Sequence, residues 1–592
     1  MSRSLIRFAP LAFAFASPAA FAYNVYTVGG DAACGYAFIQ DAVDAAKDNP
    51  GEDYVFIASN RVYDDQHIKV DNDDVDIVGG FPDCTQLGDP GLLQTTIGGT
   101  DGHSVFEIED TSHVYLSNLV ITGAVMNEDH SGGGIYFGGE GSLFVRYSWI
   151  FANQAGYGGG IDVSPSGPTA FTLTASTVSL NTALVSGGGI RIEGPTTMTA
   201  TATATDNIYI TTNFAQGTGA PGYGGGVEVL GPAVANISAN INSNTAPIGA
   251  GIAAIGTDNG PALVNFYTTN AAMPATLYGN VASVSGGGVY LEPAGFNGAE
   301  LCAADFAIDA NQAVWGGAIM VGADNFSNGA VAFLNQDVCD LPSDAVRCAA
   351  GPGCNEISGN LASGDVTSAT LNVSGTGALA AGRVTMRSNQ ANSIVFFDAE
   401  TAESNGGDYA HLHDCLIADN SIGGNLIRAY GGAARTSVTV DTCTIVNNAM
   451  ADNNYVIGAD TNFFALTNSI VYQPNQPSAI FFGPEGDMTA QYILTNDTIP
   501  FTGHAGIIDG APQFVDAANG NYHLLRTSPG VDYAPAIDGV DLDGNPRSVD
   551  LADVGNGDGW LDVGAFEIQD QLPPAGCAVA DTIYCNGFEA AP

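Results

Sequence analysis

The residues whose types and spacing best suit chemistry lie in two Asp/Gly-rich runs near the C-terminus. One is Asp541-x-Asp543-Gly544-Asn545, and the other is Asp553-x-x-Asn556-x-Asp558-Gly559-x-x-Asp562. Oxygen ligands that alternate around a glycine turn suit calcium, a hard cation that prefers carboxylate and amide oxygens. Asp541, Asp543, Asn545, Asn556, Asp558 and Asp562 are therefore the expected metal ligands. The second run departs from the EF-hand pattern. Asp553 stands one residue too far from Asn556, and no Glu follows at the twelfth position. The competing reading is plain Asp-Gly turns, which need no ion.

His411 and His413 flank an inward-facing Leu412, so both imidazoles point outward from one strand, with Asp441 expected beside His413 on the next repeat. A metal site or an acid/base pair is one reading, and two exposed histidines without a role is the preferred one. Arg383 and Arg387 are the best candidates for a base that removes the proton alpha to a uronate carboxyl group. Arg383 aligns with Asp414 one repeat later, so an ion pair suffices to explain it. Asp64-Asp65 and Asp73-Asp74 could supply the paired carboxylates of a glycoside hydrolase. Among 62 acidic residues such pairs are uninformative, and solvated loop acids are expected. The sequence has no P-loop, dinucleotide fingerprint, His-Glu-x-x-His or Gly-x-Ser-x-Gly. No catalytic residue is assigned.

The whole chain constrains its partners. Its 592 residues carry a formal charge of −48, with Lys47 and Lys69 the sole lysines. Such a surface repels nucleic acid, anionic membranes and polyanionic glycans, unless divalent cations bridge the last. With 45% hydrophobic and 13% charged residues, disorder is excluded. Arg3 and Arg7, an apolar run from Phe8 to Phe15 and Ala20-Phe21-Ala22 read as a secretory signal, with Tyr23 beginning the mature chain. No later segment is expected to span a membrane. Ten cysteines fit an oxidising compartment. Cys34 can join Cys84, and Cys577 can join Cys585. Cys302, Cys339, Cys348 and Cys354 form a group of open connectivity. Cys415 and Cys443 occupy one slot on successive repeats, either as a disulfide or, preferably, as two stacked buried thiols.

The elements that must position these residues are repeats. Gly-Gly-Gly/Ala followed by Ile or Val ends at Ile135, Ile161, Ile190, Val227, Ile252, Val289 and Ile319, at intervals of 26, 29, 37, 25, 37 and 30 residues (the Ile252 copy reads Gly-Ala-Gly). Interleaved is apolar-x-apolar-x-x-small/apolar-x-apolar-x-x-Asn. It occurs at Leu143 to Asn153, Phe171 to Asn181, Leu301 to Asn311, Leu379 to Asn389, Ala410 to Asn420 and Val438 to Asn448. Period-two alternation marks short strands with one inward face. A unit of about 30 residues cannot bury that face alone, so coils must stack. Asn at each turn can then form a ladder, while glycine allows tight corners. A propeller would need about 40–50 residues per repeat.

These motifs resemble the repeats of polymorphic outer membrane proteins and, more broadly, the pectin-lyase-like β-helix superfamily, over roughly residues 101–472. Phe38-Ile39-Gln40-Asp41-Ala42-Val43-Asp44-Ala45-Ala46 is similar to the helix that caps many such solenoids. Pro512 to Leu524, Thr527 to Asp532, Asp541 to Arg547 and Asp562 to Glu567 are similar to the closing segment of many bacterial β-helix surface proteins. The autotransporter barrel of the polymorphic proteins is not found, and the tail Asp581 to Glu589 is similar to short Gly-Phe-Glu tails on exported Gram-negative proteins.

The expected fold is all-β: a right-handed parallel β-helix solenoid with an N-terminal capping helix and a small C-terminal closing module. The expected divisions are a signal peptide (1–22), cap and first coils (23–100), β-helix (101–500), closing module (501–570) and tail (571–592). The resemblance covers lyases, hydrolases and non-catalytic adhesins. The preferred expectation is a non-catalytic exported protein at the surface of a Gram-negative bacterium, or secreted from it. Its partners would be polysaccharide or cell-envelope components, with calcium as the one candidate cofactor. The alternative is a polysaccharide lyase or glycoside hydrolase.

Overall fold

The computed structural model describes residues 24–569, apart from 50, 92, 204, 220, 295–296, 323–328, 337, 348–353, 376, 399–407, 431–435, 461–462, 475–479 and 483–486. The signal-like segment, Cys348, Cys577, Cys585 and the tail lie outside the described residues.

The chain is an all-β parallel β-helix. One coil shows the plan. Ile135–Phe137 belongs to a 14-stranded sheet, here the second sheet. Glu140–Arg146 and Trp149–Phe151 form two limbs of a bent 30-stranded sheet, the broad sheet. Gln154–Tyr157 belongs to a 10-stranded third sheet. The next coil repeats the order with Ile161–Val163, Thr169–Thr174, Thr177–Ser179 and Thr182–Ser186. Like stacks on like: Ile150 pairs with Val178, and Leu143 with Phe171. The alternating apolar residues form one continuous core along the solenoid.

The helix Ile39–Lys47 (α1) covers the N-terminal end and buries Ile39, Ala42, Val43 and Ala46. An open coil end would leave apolar side chains and strand edges in water, and α1 removes that liability.

Two devices turn each corner. The asparagine ladder runs unbroken through Asn153, Asn181, Asn213, Asn244, Asn280, Asn311, Asn360, Asn389, Asn420 and Asn448. Each donates its backbone N–H and its Nδ2 to Oδ1 of the next. The asparagine is not itself the left-handed residue. That conformation falls one position earlier, at Ala152 (φ 54°), Leu180 (φ 56°) and Thr212 (φ 58°). A non-glycine residue there costs on the order of 1–2 kcal/mol, which the buried amide network offsets. At the glycine corners the reason is space as well as φ. Gly187 has φ 71°, and a Cβ on Gly189 would meet the Gly226 carbonyl at 2.6 Å.

The C-terminal segment does not lie across the open end. Phe501, from the short helix Ile499–Phe501, enters the core there. The module instead lies along the flank of the last coils. Leu524, Val531, Leu551, Leu561 and Val563 cover Leu416, Ala418, Val446, Ile470 and Leu494. Leu416, Ala418 and Val446 occupy outward positions of the broad sheet, where earlier coils carry mostly polar or aromatic residues, and the C-terminal module covers them.

Disulfides join Cys34 to Cys84, Cys302 to Cys339 and Cys415 to Cys443, and Cys354 is also disulfide-bonded. The thiol stack expected at Cys415 and Cys443 is corrected. Parallel coils in register hold their Cα atoms 4.5 Å apart, within bonding reach.

Candidate functional site

The outer face of the broad sheet's second limb is built from two outward columns. Register places Trp149, Thr177, Tyr209, Asn240 and Thr276 in one column, and Phe151, Ser179, Thr211, Asn242 and Tyr278 in the other. Trp149, Tyr209 and Tyr278 are 38%, 40% and 51% exposed. They stand on alternate coils, so successive rings are two strand spacings apart along the solenoid, roughly 10 Å. Tyr278 lies one column over, which makes the row oblique. Each ring is held. Trp149 stacks on Phe151 with centroids 4.2 Å apart, and its Nε1 donates to Ser179 Oγ at 2.7 Å. Asn207 Nδ2 donates to the Tyr209 hydroxyl at 3.2 Å. Between the rings stand hydroxyls and amides, including Thr276 Oγ1, which donates to Asn240 Oδ1 at 2.7 Å.

A cleft of about 310 Å³ opens where α1 crosses the first strand of the second sheet, Ile68–Asp71. Lys47, His67, Lys69, Asp71 and Asp73 line it. Both lysines of the chain therefore meet in one cleft, a convergence that their separation in sequence concealed. Asp73 was expected to be a solvated loop acid. It is only 8% exposed, and its Oδ2 has no hydrogen-bond partner. Burial raises its pKa.

The six expected calcium ligands differ in burial and in the groups they bind. Asp541 and Asp562 are fully buried, and their oxygens serve the backbone of the C-terminal module. Asp541 accepts from the N–H groups of Asn545 and Glu567, and Asp562 accepts from those of Asp532 and Ile568. Asp543 accepts from His523 at 2.6 Å. Asn545 is half-buried, while Asn556 and Asp558 are exposed.

His411 and His413 do point outward, their rings 4.9 Å apart, and His413 pairs in register with Asp441. His413 Nδ1 lies 2.8 Å from Asp414 Oδ2, and its Nε2 is 3.1 Å from Gln336 Nε2 and 3.2 Å from Gln336 Oε1. The ring lies against Gly382, where a Cβ would meet it at 2.3 Å. The arginine found on Asp414 is Arg547 of the C-terminal module, with Nε 3.0 Å from Oδ1. Burial raises the Asp414 carboxyl, but the His413 hydrogen bond and the Arg547 charge outweigh it and hold the pKa below its ordinary value. Arg383 Nη2 donates to the Asn335 carbonyl, and Arg387 pairs with Glu356.

Sequence reasoning missed one further cluster. On the outward face of the second sheet, Asp162, Arg191 and Glu228 occupy the same register position on three successive coils. Arg191 Nη1 is 3.2 Å from Asp162, and Ser186 donates to Glu228 at 2.7 Å. Burial pushes Glu228 up to about 7 despite Arg191. The glycine corners fold over this column: a Cβ on Gly187 would meet Arg191 Cβ at 2.7 Å.

No protein-family model and no curated protein matches the chain. Among the described residues, no helix is long and apolar enough to cross a membrane.

Proposed function

We propose that the chain is a non-catalytic, exported glycan-binding β-helix protein of a Gram-negative cell surface or its surroundings, and that the face from Trp149 to Tyr278 takes an extended neutral polysaccharide. The alternate-coil aromatic row carries this reading. Its step is about the length of one disaccharide in an extended β-linked chain. Flat sugar faces stack on aromatic rings that have an apolar body and a polar edge. The intervening amides and hydroxyls can bond the sugar hydroxyls. The strongly acidic surface favours a neutral chain over a polyanionic one. The signal-like start and the disulfides support export.

The test is retention on a panel of neutral and acidic polysaccharides, with and without calcium, while chain cleavage is followed in parallel. The expected outcome is retention on a neutral β-linked glycan, weakened at least tenfold by Trp149→Ala combined with Tyr209→Ala. Equal retention by this variant would overturn the reading. The calcium arm probes Asp541, Asp543, Asn545, Asn556, Asp558 and Asp562, since loss of binding in chelator would give an ion a role.

The second reading is a glycoside hydrolase. It is favoured by Asp162 and Glu228, two carboxylates two coils apart, with Glu228 poised as an acid near neutral pH. At 0% and 2% exposure these groups are shielded from a substrate, so the binding reading is preferred. Cleavage that is abolished in Glu228→Gln would reverse the preference.

A further inference from the structure

We propose that His67, His103 and Glu107 form a binding site for a divalent transition-metal ion of the zinc class, open to solvent beside the N-terminal cleft. Their ligand atoms all lie within 4.8 Å of one another. The group is the one set of three or more such side chains, among the described residues, that converges in this way.

The fold assembles the site from two adjacent coils. His67 immediately precedes Ile68–Asp71, and Glu107 lies on Phe106–Glu109, the strand paired with it. His103 sits in the turn that leads into the second strand. His67 Nε2 is 2.6 Å from Glu107 Oε2. The two imidazoles are stacked, with centroids 4.2 Å apart and planes 13° from parallel. Two ring nitrogens and one carboxylate oxygen suit zinc, cobalt, nickel or copper, whereas calcium and magnesium prefer oxygen alone.

The surroundings fit. The second oxygen of Glu107 accepts from Lys69 Nζ at 2.8 Å, an outer contact that fixes the carboxylate's orientation. Bonds of about 2.0–2.2 Å to zinc place ligands roughly 3–4 Å apart. The His67–Glu107 pair must therefore open slightly, and the exposed His103 must rotate out of the stack, because an imidazole lone pair lies in its ring plane and two parallel stacked rings do not aim at one ion. With three protein ligands, at least one coordination position faces water. The site is thus built for exchange or for bridging to a ligand in the cleft, rather than as a closed structural centre.

The experiment is titration of the full chain with cobalt(II) and zinc(II) in excess magnesium, which occupies the acidic surface. Calorimetry gives stoichiometry, and the cobalt absorption spectrum reports imidazole coordination. One ion per chain is expected. His103→Ala should weaken binding at least tenfold without changing the circular dichroism, because the side chain is exposed. Glu107→Gln should weaken it further. Unsaturable binding, absence of an imidazole signature, or wild-type affinity in His103→Ala would each overturn the site. Glycan retention by the Trp149 face is a separate readout, so the two proposals fail independently.

Discussion

At the scale of single residues, burial decides which charges matter. Arg547 has a side chain only 1% exposed, and it ties the C-terminal module to Asp414 on the solenoid while donating to the carbonyls of Gly564 and Ala565. Arg547→Ala strands a buried carboxylate and two carbonyls. It should cost about 3–5 kcal/mol, read by urea denaturation with Trp560 fluorescence as the local probe. Asp76 gives a pH signature. Burial, followed by Glu52 and Asp74, raises its pKa from 3.8 to about 7. Its contribution to stability is thus full below pH 4 and is lost as pH rises through about 7. Asp76→Asn should match wild type near pH 4 and exceed it by roughly 1–2 kcal/mol at pH 8, allowing for partial solvent screening. A constant difference across that range would refute the assignment. Asp73 and Asp76 could not be told from other acids in the sequence, because burial depends on where α1 and the neighbouring coils come to rest.

At the scale of the repeating element, the sequence was most legible. Alternation and a fixed Asn announced the stacked strands. They also announced six rungs of the ladder: Asn153, Asn181, Asn311, Asn389, Asn420 and Asn448. Asn213, Asn244, Asn280 and Asn360 went unread. In the coil of Asn280, for example, residues 268–274 separate the two limbs of the broad sheet and break the spacing, although the rung itself is unchanged. The site face was hidden for a related reason. Trp149, Tyr209 and Tyr278 meet only when the coils are placed in register, and no fixed interval separates them in the chain. The ladder predicts a steep local penalty. Asn280→Ala removes acceptors from the backbone N–H and Nδ2 of Asn244, and donors to Ile241 and Asn311. A loss of roughly 2–4 kcal/mol is expected in urea denaturation. Gly189→Ala should cost about 1–3 kcal/mol through its clash with the next coil. Gly88→Ala, where nothing lies within 4 Å of the added carbon, should be nearly silent.

At the scale of the molecule, the parallel solenoid and its capping helix were readable from pattern, while the position of the C-terminal module was not. Its apolar residues were visible, but their partners are outward positions on the last coils, where an apolar side chain at Leu416, Ala418, Val446 or Ile470 does not announce what covers it. Removing residues 511–592 should expose that strip. The shortened chain should bind a hydrophobic dye and associate at concentrations where the full chain stays monodisperse, measured by light scattering. Lateral attachment also sets how the molecule bears load. A force applied at residue 569 first meets the module, which grips several coils side by side through Leu416, Val446, Ile470 and Leu494. The joint is therefore strained in shear, with many contacts yielding together. A pull on a bare final coil would instead peel one rung at a time. Anchored from this end, the protein should extend under tension in one abrupt step at the module before any coil unwinds, a sequence of events that optical-trap extension traces would display.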